Sequence, residues 1–147
     1  MMYNNTVRDY FFLPKHAGVI DLDHELTVVF KNTQKDQGRV EFYMQCRQDR
    51  LIQKVCFKTN GNPYLIAALE WLCRQLEGQF IDKIQPIDYQ LLIKELGIPR
   101  THYPLALRVV TIFKEIFVLM HKRLSHKDTN PIYRGINYEH NNTTCTE

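Results

Sequence analysis

The alternation of hydrophobic and polar residues predicts three strands in the first half of the chain. Residues 39–47 follow a strict period of two, as in a strand with one buried face. The apolar face of this strand carries Val40, Phe42, Met44 and Cys46. An apolar, β-branched run predicts a strand over 26–30, and a further alternation predicts a strand over 51–58. The polar residues 31–38 predict a loop. Together the runs predict an antiparallel meander that is apolar on one side.

The strongest helix signal follows the third strand. An apolar stripe at helical spacing consists of Leu65, Leu69, Leu72 and Leu76. Asn62 occupies the N-cap position, Pro63 follows at the first helical position, and Gly78 lies where a left-handed C-cap is favoured. The preceding pair, Asn60 and Gly61, is typical of a turn. Such a strand-to-helix corner can hold a ligand on free N–H groups, although simple capping of a core helix is the plainer interpretation.

Three further helices are predicted over residues 3–13, 86–96 and 104–124. The last helix is apolar around more than half its circumference, which favours either burial on two sides within the chain or association, including a homodimer. From residue 127 onward hydrophobicity falls and Asn and Thr accumulate. We therefore expect one domain over 1–125 and a flexible or loosely docked polar tail over 126–147. Its candidate anchors are Ile132, Tyr133, Ile136 and Tyr138.

Composition narrows the class of protein. The 147 residues are 44% hydrophobic, enough for the core of one domain. The net charge of +3 comes from 19 basic and 16 acidic residues without a basic run, so nucleic acid is not indicated. Arg108, Lys114 and Glu115 interrupt the most hydrophobic segment, so no membrane span is expected. Without an export signal in the N-terminal residues, we expect a cytoplasmic protein.

The thiols and most of the imidazoles show no metal-site spacing. The four cysteines form no C-x-x-C pair. We expect Cys46 and Cys73 to be buried, and Cys56 and Cys145 to be exposed. The histidines expected to be solvated are His16, His24, His121, His126 and His140.

Three segments carry a resemblance to a known family. Residues 3–18 contain V7-R-D9 and P14-K15-H16-A17-G18, similar to V-x-D-H/Y and P-R/K-N-x-G. Residues 57–68, FKTNGNPYLIAA, are similar to F-K-x-x-G-C-x-x-x-I-A-S, and H102-Y103-P-L-A-L is similar to H-C-S-x-L-A. In this order the segments resemble the NifU/IscU-type scaffolds of iron-sulfur cluster assembly.

The resemblance implies an α+β fold with a three-stranded antiparallel sheet, helices packed on one face and a long C-terminal helix. It also implies a ligand site at one tip, where three cysteines, an aspartate and a histidine hold a [2Fe-2S] cluster or zinc. The corresponding positions here are Asp36 or Gln37 for the first cysteine, Gly38 or Arg39 for the aspartate, Asn62 and Tyr103 for the other cysteines, and His102 for the histidine. Only the histidine is retained.

These replacements remove the chemistry of the site. Iron in a cluster needs thiolates, whereas an asparagine offers a neutral oxygen and a tyrosine a phenol with a pKa of about 10. His102 and Asp36 alone are too few for a tetrahedral zinc site. We therefore expect no cofactor and no metal. The segment 98–103, IPRTHY, is two residues shorter than the family's L-P-P-V-K-I-H-C and lacks its lysine, which argues against transfer by the usual Hsp70 partner.

The expected function is that of a non-enzymatic, protein-binding adaptor whose tip contacts a partner through Asn60, Pro99, Arg100 and Tyr103. The partner would be a cysteine desulfurase-like, other assembly or secretion-related protein. A repaired surface without a ligand is the simplest alternative. Another is cluster assembly or metal binding by a non-standard ligand set around His102, with Asp36 and Cys56. An enzyme using His102 and Asp36 as a base pair is disfavoured, because no nucleophile is placed at the tip.

Overall fold

Helices cover one face of a four-stranded sheet in this protein. A computed structural model describes residues 4–24, 26–35 and 37–125, together with the strand at 135–141. In chain order the elements are α1 (Asn5–Phe12), β1 (Thr27–Gln34), β2 (Gly38–Cys46), β3 (Ile52–Thr59), α2 (Pro63–Leu76), α3 (Tyr89–Leu96), α4 (Tyr103–Ser125) and β4 (Gly135–Asn141), with 3₁₀ turns at Ile81–Lys83 and Arg100–His102.

The sheet has the strand order β3-β2-β1-β4. The predicted antiparallel meander of β1, β2 and β3 is confirmed. The predicted loop over 31–38 is wrong for residues 31–34, which continue β1, and for Gly38, which begins β2. The hydrophobic pattern does not reveal this part of β1, because the residue buried on the helical face, Asn32, is polar. Its neighbours Lys31 and Thr33 alternate with it and are polar as well.

A fourth strand, β4, lies within the segment predicted as a polar tail. It pairs parallel to β1, with Thr27 opposite Gly135 and Thr33 opposite Asn141. It includes Ile136 and Tyr138, two of the candidate anchors. The other two anchors, Ile132 and Tyr133, lie outside the described residues, as do the rest of 126–134 and 142–147.

The main core lies between the sheet and the helices. Apolar residues from one face of β1, β2 and β3 pack against α2 and α4. The predicted bounds of α2 are confirmed, whereas α3 begins at Tyr89 rather than at Pro86, because Asp88 caps it by accepting from the Leu91 N–H (2.9 Å). The apolar breadth of α4 serves packing within the chain, since this helix contacts β1, β2, α2 and α3. No helix in the described part of the chain is long and apolar enough to span a bilayer.

The connector between α1 and β1 covers part of the outer face, the side of the sheet away from the helices. Ile20 packs there with Val29, Tyr43 and Cys56. Main-chain bonds attach the connector to β3, where the Phe57 N–H donates to the His16 carbonyl (2.9 Å). The prediction that Cys56 is exposed is therefore wrong, because a segment about forty residues earlier in the chain covers it.

Candidate functional site

Three chain segments meet at one end of the sheet, which we call the tip. They are the β1–β2 turn (35–37), the β3–α2 turn (60–62) and the segment that leads into α4 (99–103). Strand register places the first two together, because Gln34 pairs with Gly38 and Val40 pairs with Thr59. The site residues predicted from the sequence lie in these segments or, for Gly38 and Arg39, at the start of β2. Asp36 lies outside the described residues.

The two turns are joined by side chains that bind the main chain. The Arg39 N–H donates to Asn60 Oδ1 (2.8 Å), and the Thr59 hydroxyl donates to the Arg39 carbonyl (2.6 Å). Gly38 makes this approach possible, since its φ is +87° and a Cβ there would lie 2.8 Å from Asn60 Oδ1. The backbone of Gly61 would lie only 3.2 Å away from the same Cβ. The contact between the turns therefore requires glycine at position 38.

Asn62 is committed to capping α2. Its Oδ1 accepts from the Leu65 N–H (3.0 Å), its backbone is extended, and Pro63 follows at the start of the helix. The N-cap prediction is confirmed. The same oxygen is the group that Asn62 would offer to a metal, so binding a metal through it would remove the cap.

The third segment stacks on α2. His102 ends a 3₁₀ turn in which its N–H donates to the Pro99 carbonyl (2.8 Å). The His102 ring contacts that of Tyr64 with the ring centroids 5.0 Å apart. His102, Tyr103 and Pro99 are partly exposed and Arg100 is exposed. The ring nitrogens of His102 make no hydrogen bond to any described part of the chain.

Arg108 connects α4 to the β1–β2 turn, and the sequence analysis missed this role. Its guanidinium donates to Asn32 Oδ1 (2.8 Å) and to the main-chain carbonyls of Asn32 (3.2 Å), Gln37 (2.9 Å) and Gly38 (2.7 Å). The residue is 6% exposed, and burial lowers the pKa of the guanidinium to about 10. No carboxylate of the described residues pairs with it. A signal was present, because position 108 lies on the stripe formed by Leu105 and Ile112.

The cysteines of the described chain lie away from the tip. Cys46 is the last residue of β2, at the end of the strand opposite to Gly38. Cys56 lies under the connector, and Cys73 is in the C-terminal part of α2. Burial raises the pKa of Cys46 to about 12, and it also raises the pKa of Cys56 and of Cys73. These thiols are therefore protonated and enclosed at neutral pH.

A second polar group, which we call the α2 cluster, consists of His16, Glu70, Arg74 and Glu77. His16 Nδ1 contacts Glu70 Oε2 and His16 Nε2 contacts Glu77 Oε1, both at 2.7 Å. Glu70 is fully buried and also accepts from Arg74 Nε (2.8 Å) and from the His16 N–H (3.0 Å). Desolvation lowers the pKa of His16, but the hydrogen bonds and charges of the two carboxylates together raise it above 6.5. The expectation that His16 is solvated is therefore wrong.

Comparison with known proteins agrees with this architecture. The family model described as the NifU-like N terminal domain matches residues 2–116. The chain is also similar to the crystal structure of a putative iron-sulfur cluster assembly scaffold protein for the SUF system from thermophilic Fervidobacterium islandicum AW-1, with 17% identity and a TM-score of 0.50. That match covers 85% of this chain and 95% of the other, and it shows the shared fold. No curated protein matches the chain. Because the family model spans well over half of the sequence, this protein belongs to the family of NifU-like N terminal domains.

Proposed function

We propose that this protein is a non-enzymatic adaptor that docks partner proteins at the tip and carries no iron-sulfur cluster itself. One observation carries the proposal: hydrogen bonds within the chain already join the turns of the tip. Asn60 links the β3–α2 turn to β2, and Arg108 links the β1–β2 turn to α4. The segments that would otherwise share a metal are thus held together by the protein's own donors and acceptors.

The residues at the tip do not fit a cluster or a zinc ion. A cluster takes thiolates, and a structural zinc site takes about four thiolate or imidazole ligands. The described residues contain no group of three or more His, Cys, Asp and Glu side chains placed to hold a metal. Of the groups at the corresponding positions, the Asn62 oxygen caps α2, Tyr103 offers a phenol, and Gly38 has no side chain.

The tip has features that suit a protein partner. Arg100 is exposed and Tyr103 is half-exposed, and arginine and tyrosine are the types that most often supply binding energy in interfaces. The surrounding backbone is preorganised by the bonds of Asn60 and Arg108, which reduces the ordering cost of association. A similar fold occurs in a putative scaffold for the SUF system. We therefore propose a cysteine desulfurase-like or other assembly protein as the partner class.

A second candidate function is metal binding around His102. It is favoured by the half-exposed His102 ring, whose nitrogens are not used by the described residues, at a position that matches the family's histidine. In this alternative a partner would supply the remaining ligands, since one imidazole does not make a site.

Metal analysis separates the two candidates. Elemental analysis and a visible spectrum should be recorded on protein purified without oxygen, both alone and together with the partner that it captures. Both samples should show no iron or zinc near one equivalent and no absorbance above the protein band. Iron or zinc near one equivalent that disappears in His102→Ala would overturn the proposal and support the second candidate.

Partner capture tests the adaptor role. Arg100→Ala with Tyr103→Ala should reduce capture of a cysteine desulfurase or of other assembly proteins from the same cell at least tenfold, because both side chains are removed from the tip. Lys94→Ala, an exposed change on α3, is the matched control and should leave capture unchanged. Unchanged capture by the double variant would refute the assigned surface.

A further inference from the structure

The tip continues into a depression on the outer face of the sheet, beyond the part that the connector covers. Its volume is about 260 Å³, and its lining consists of Arg39, Glu41, Lys58, Thr59 and Asn60. Pockets that enclose whole small molecules usually measure roughly 300–1,000 Å³. The depression is therefore better matched to a single side chain of a partner protein than to a small-molecule ligand.

Charged residues cross the outer face in one row of the sheet. The strand register pairs Lys31 with Glu41 and Glu41 with Lys58. On the other side, Lys31 pairs with Glu139 of β4. In this row Glu41 is therefore the register partner of both Lys31 and Lys58.

Glu41 forms no ion pair with Lys58, because both of its carboxylate oxygens accept hydrogen bonds from other side chains. Its Oε2 accepts from Arg39 (2.7 Å) and its Oε1 accepts from the Tyr43 hydroxyl (2.8 Å). Burial acts to raise the pKa of Glu41, but these hydrogen bonds and the charges of Lys31 and Arg39 lower it below 4.5. Burial, assisted by Glu41, raises the pKa of Tyr43 to about 12, so the phenol remains a donor. Glu41 is therefore an ionised carboxylate that fixes the position of Arg39.

The exposed polar groups of the depression are mainly donors. Lys58 is exposed, and no carboxylate of the described residues pairs with it. The Asn60 oxygen is occupied by the Arg39 N–H, which leaves the Asn60 amide NH₂ as a donor. The Thr59 hydroxyl donates to the Arg39 carbonyl, and its oxygen accepts from the Gly61 N–H. Such a site complements an anionic group that only accepts hydrogen bonds.

We propose that this depression docks an aspartate or glutamate side chain of an acidic segment in a partner protein, with Lys58 as the counter-ion and Arg39 beside it. This inference rests on the proposed adaptor function and names the chemistry of the partner. The site shares Asn60 with the predicted contact surface of the tip, so one partner could occupy both.

A pair of charge-matched variants tests the inference. Lys54 lies on the same strand and the same face as Lys58, is exposed, and is outside the depression. We expect Lys58→Gln to weaken binding of a fluorescein-labelled hexaglutamate peptide at least fivefold, measured by anisotropy, and Lys54→Gln to weaken it less than twofold. Because each variant removes one positive charge, equal losses would show general electrostatic attraction and overturn the proposal.

Further arms of the experiment identify the class of ligand. Amide shifts on titration with the peptide should centre on residues 39–41 and 58–60. Absence of binding by the wild-type protein would overturn the proposal, as would a site that binds inorganic polyphosphate in a Lys58-dependent manner but not hexaglutamate. Iron or zinc at the tip would contradict the adaptor function while leaving the lysine comparison intact. If Lys58→Gln and Lys54→Gln weakened peptide binding equally in metal-free protein, this result would contradict only the acidic docking site.

Discussion

The tip and the α2 cluster solve the same problem, the burial of polar groups, with opposite chemistry. At the tip, the buried guanidinium of Arg108 donates to three main-chain carbonyls and one amide oxygen. In the α2 cluster, buried Glu70 lies among His16 and Arg74, so charges of opposite sign meet. Neutral acceptors do not titrate, whereas an imidazole between carboxylates does. Only the α2 cluster should therefore change its contribution to stability across the pH range of cells.

Of the substitutions in the two clusters, removal of Arg108 should lower the free energy of unfolding most. Arg108→Met keeps much of the side-chain volume but removes the donor from the buried acceptors of Asn32 and from the partly buried carbonyls of Gln37 and Gly38. We expect a loss of about 3 kcal/mol in the free energy of unfolding, measured with urea. The loss should be constant between about pH 5 and pH 9, because Arg108 titrates at about 10 and the acceptors are neutral.

Two further variants of arginine check the cause of that loss. Arg108→Lys should recover only part of the stability, since an ammonium has three donors where four acceptors need filling. Arg8→Met, an exposed change on α1, should stay within about 0.5 kcal/mol of the wild type. A loss for Arg108→Met no larger than that for Arg8→Met would show that the guanidinium does not hold the tip together.

Removing His16 should have an intermediate effect that depends on pH. His16→Gln deprives two carboxylates of a charged donor, and we expect a loss of about 2 kcal/mol at pH 6. The pKa of His16 is raised in the folded protein, so its stabilisation is complete below the unfolded value of 6.5 and decreases as pH rises through the folded pKa. The difference between wild type and variant should therefore shrink above pH 6.5 in urea titrations. A difference that grows with pH would mean that the imidazole is bound in its neutral form.

The smallest loss of stability is expected from removing the N-cap of α2. Asn62→Ala removes the oxygen that accepts from the Leu65 N–H and should cost about 1 kcal/mol at any pH. Asn62→Asp keeps the acceptor and should restore most of the loss. Thermal unfolding of both variants would measure this, and equal melting temperatures for Asn62→Ala and wild type would contradict the assignment of the cap.

Local signals explain why the elements were predictable. The bounds of α2 followed from Asn62, Pro63 and the leucine stripe, which are neighbours in the sequence. Alternation located β2 and β3, and an apolar run located the first part of β1. The family resemblance indicated that the turns around Gly38, Asn62 and His102 meet. The meeting is observed, through Asn60, Arg108 and the Tyr64–His102 contact.

Contacts between distant residues explain what was missed. Asn32 was assigned to a loop because it is polar, yet it is buried where it accepts from Arg108, 76 residues later. His16 was assigned to solvent, yet its partner Glu70 is 54 residues away. Hydropathy shows Arg108 only as a charged residue within an apolar segment. Its contacts with the β1–β2 turn depend on what α4 packs against, which hydropathy does not show. The same holds for Cys56, which the connector covers.

The contact between Gly38 and Asn60 also limits which side chains the tip can accept. A side chain at position 38 would place a Cβ 2.8 Å from the Asn60 oxygen and would need a φ of +87°, which residues other than glycine rarely adopt. Position 38 is one of the two positions that correspond by resemblance to the family's aspartate. Introducing a carboxylate there by a single substitution would therefore disrupt the contact between the two turns.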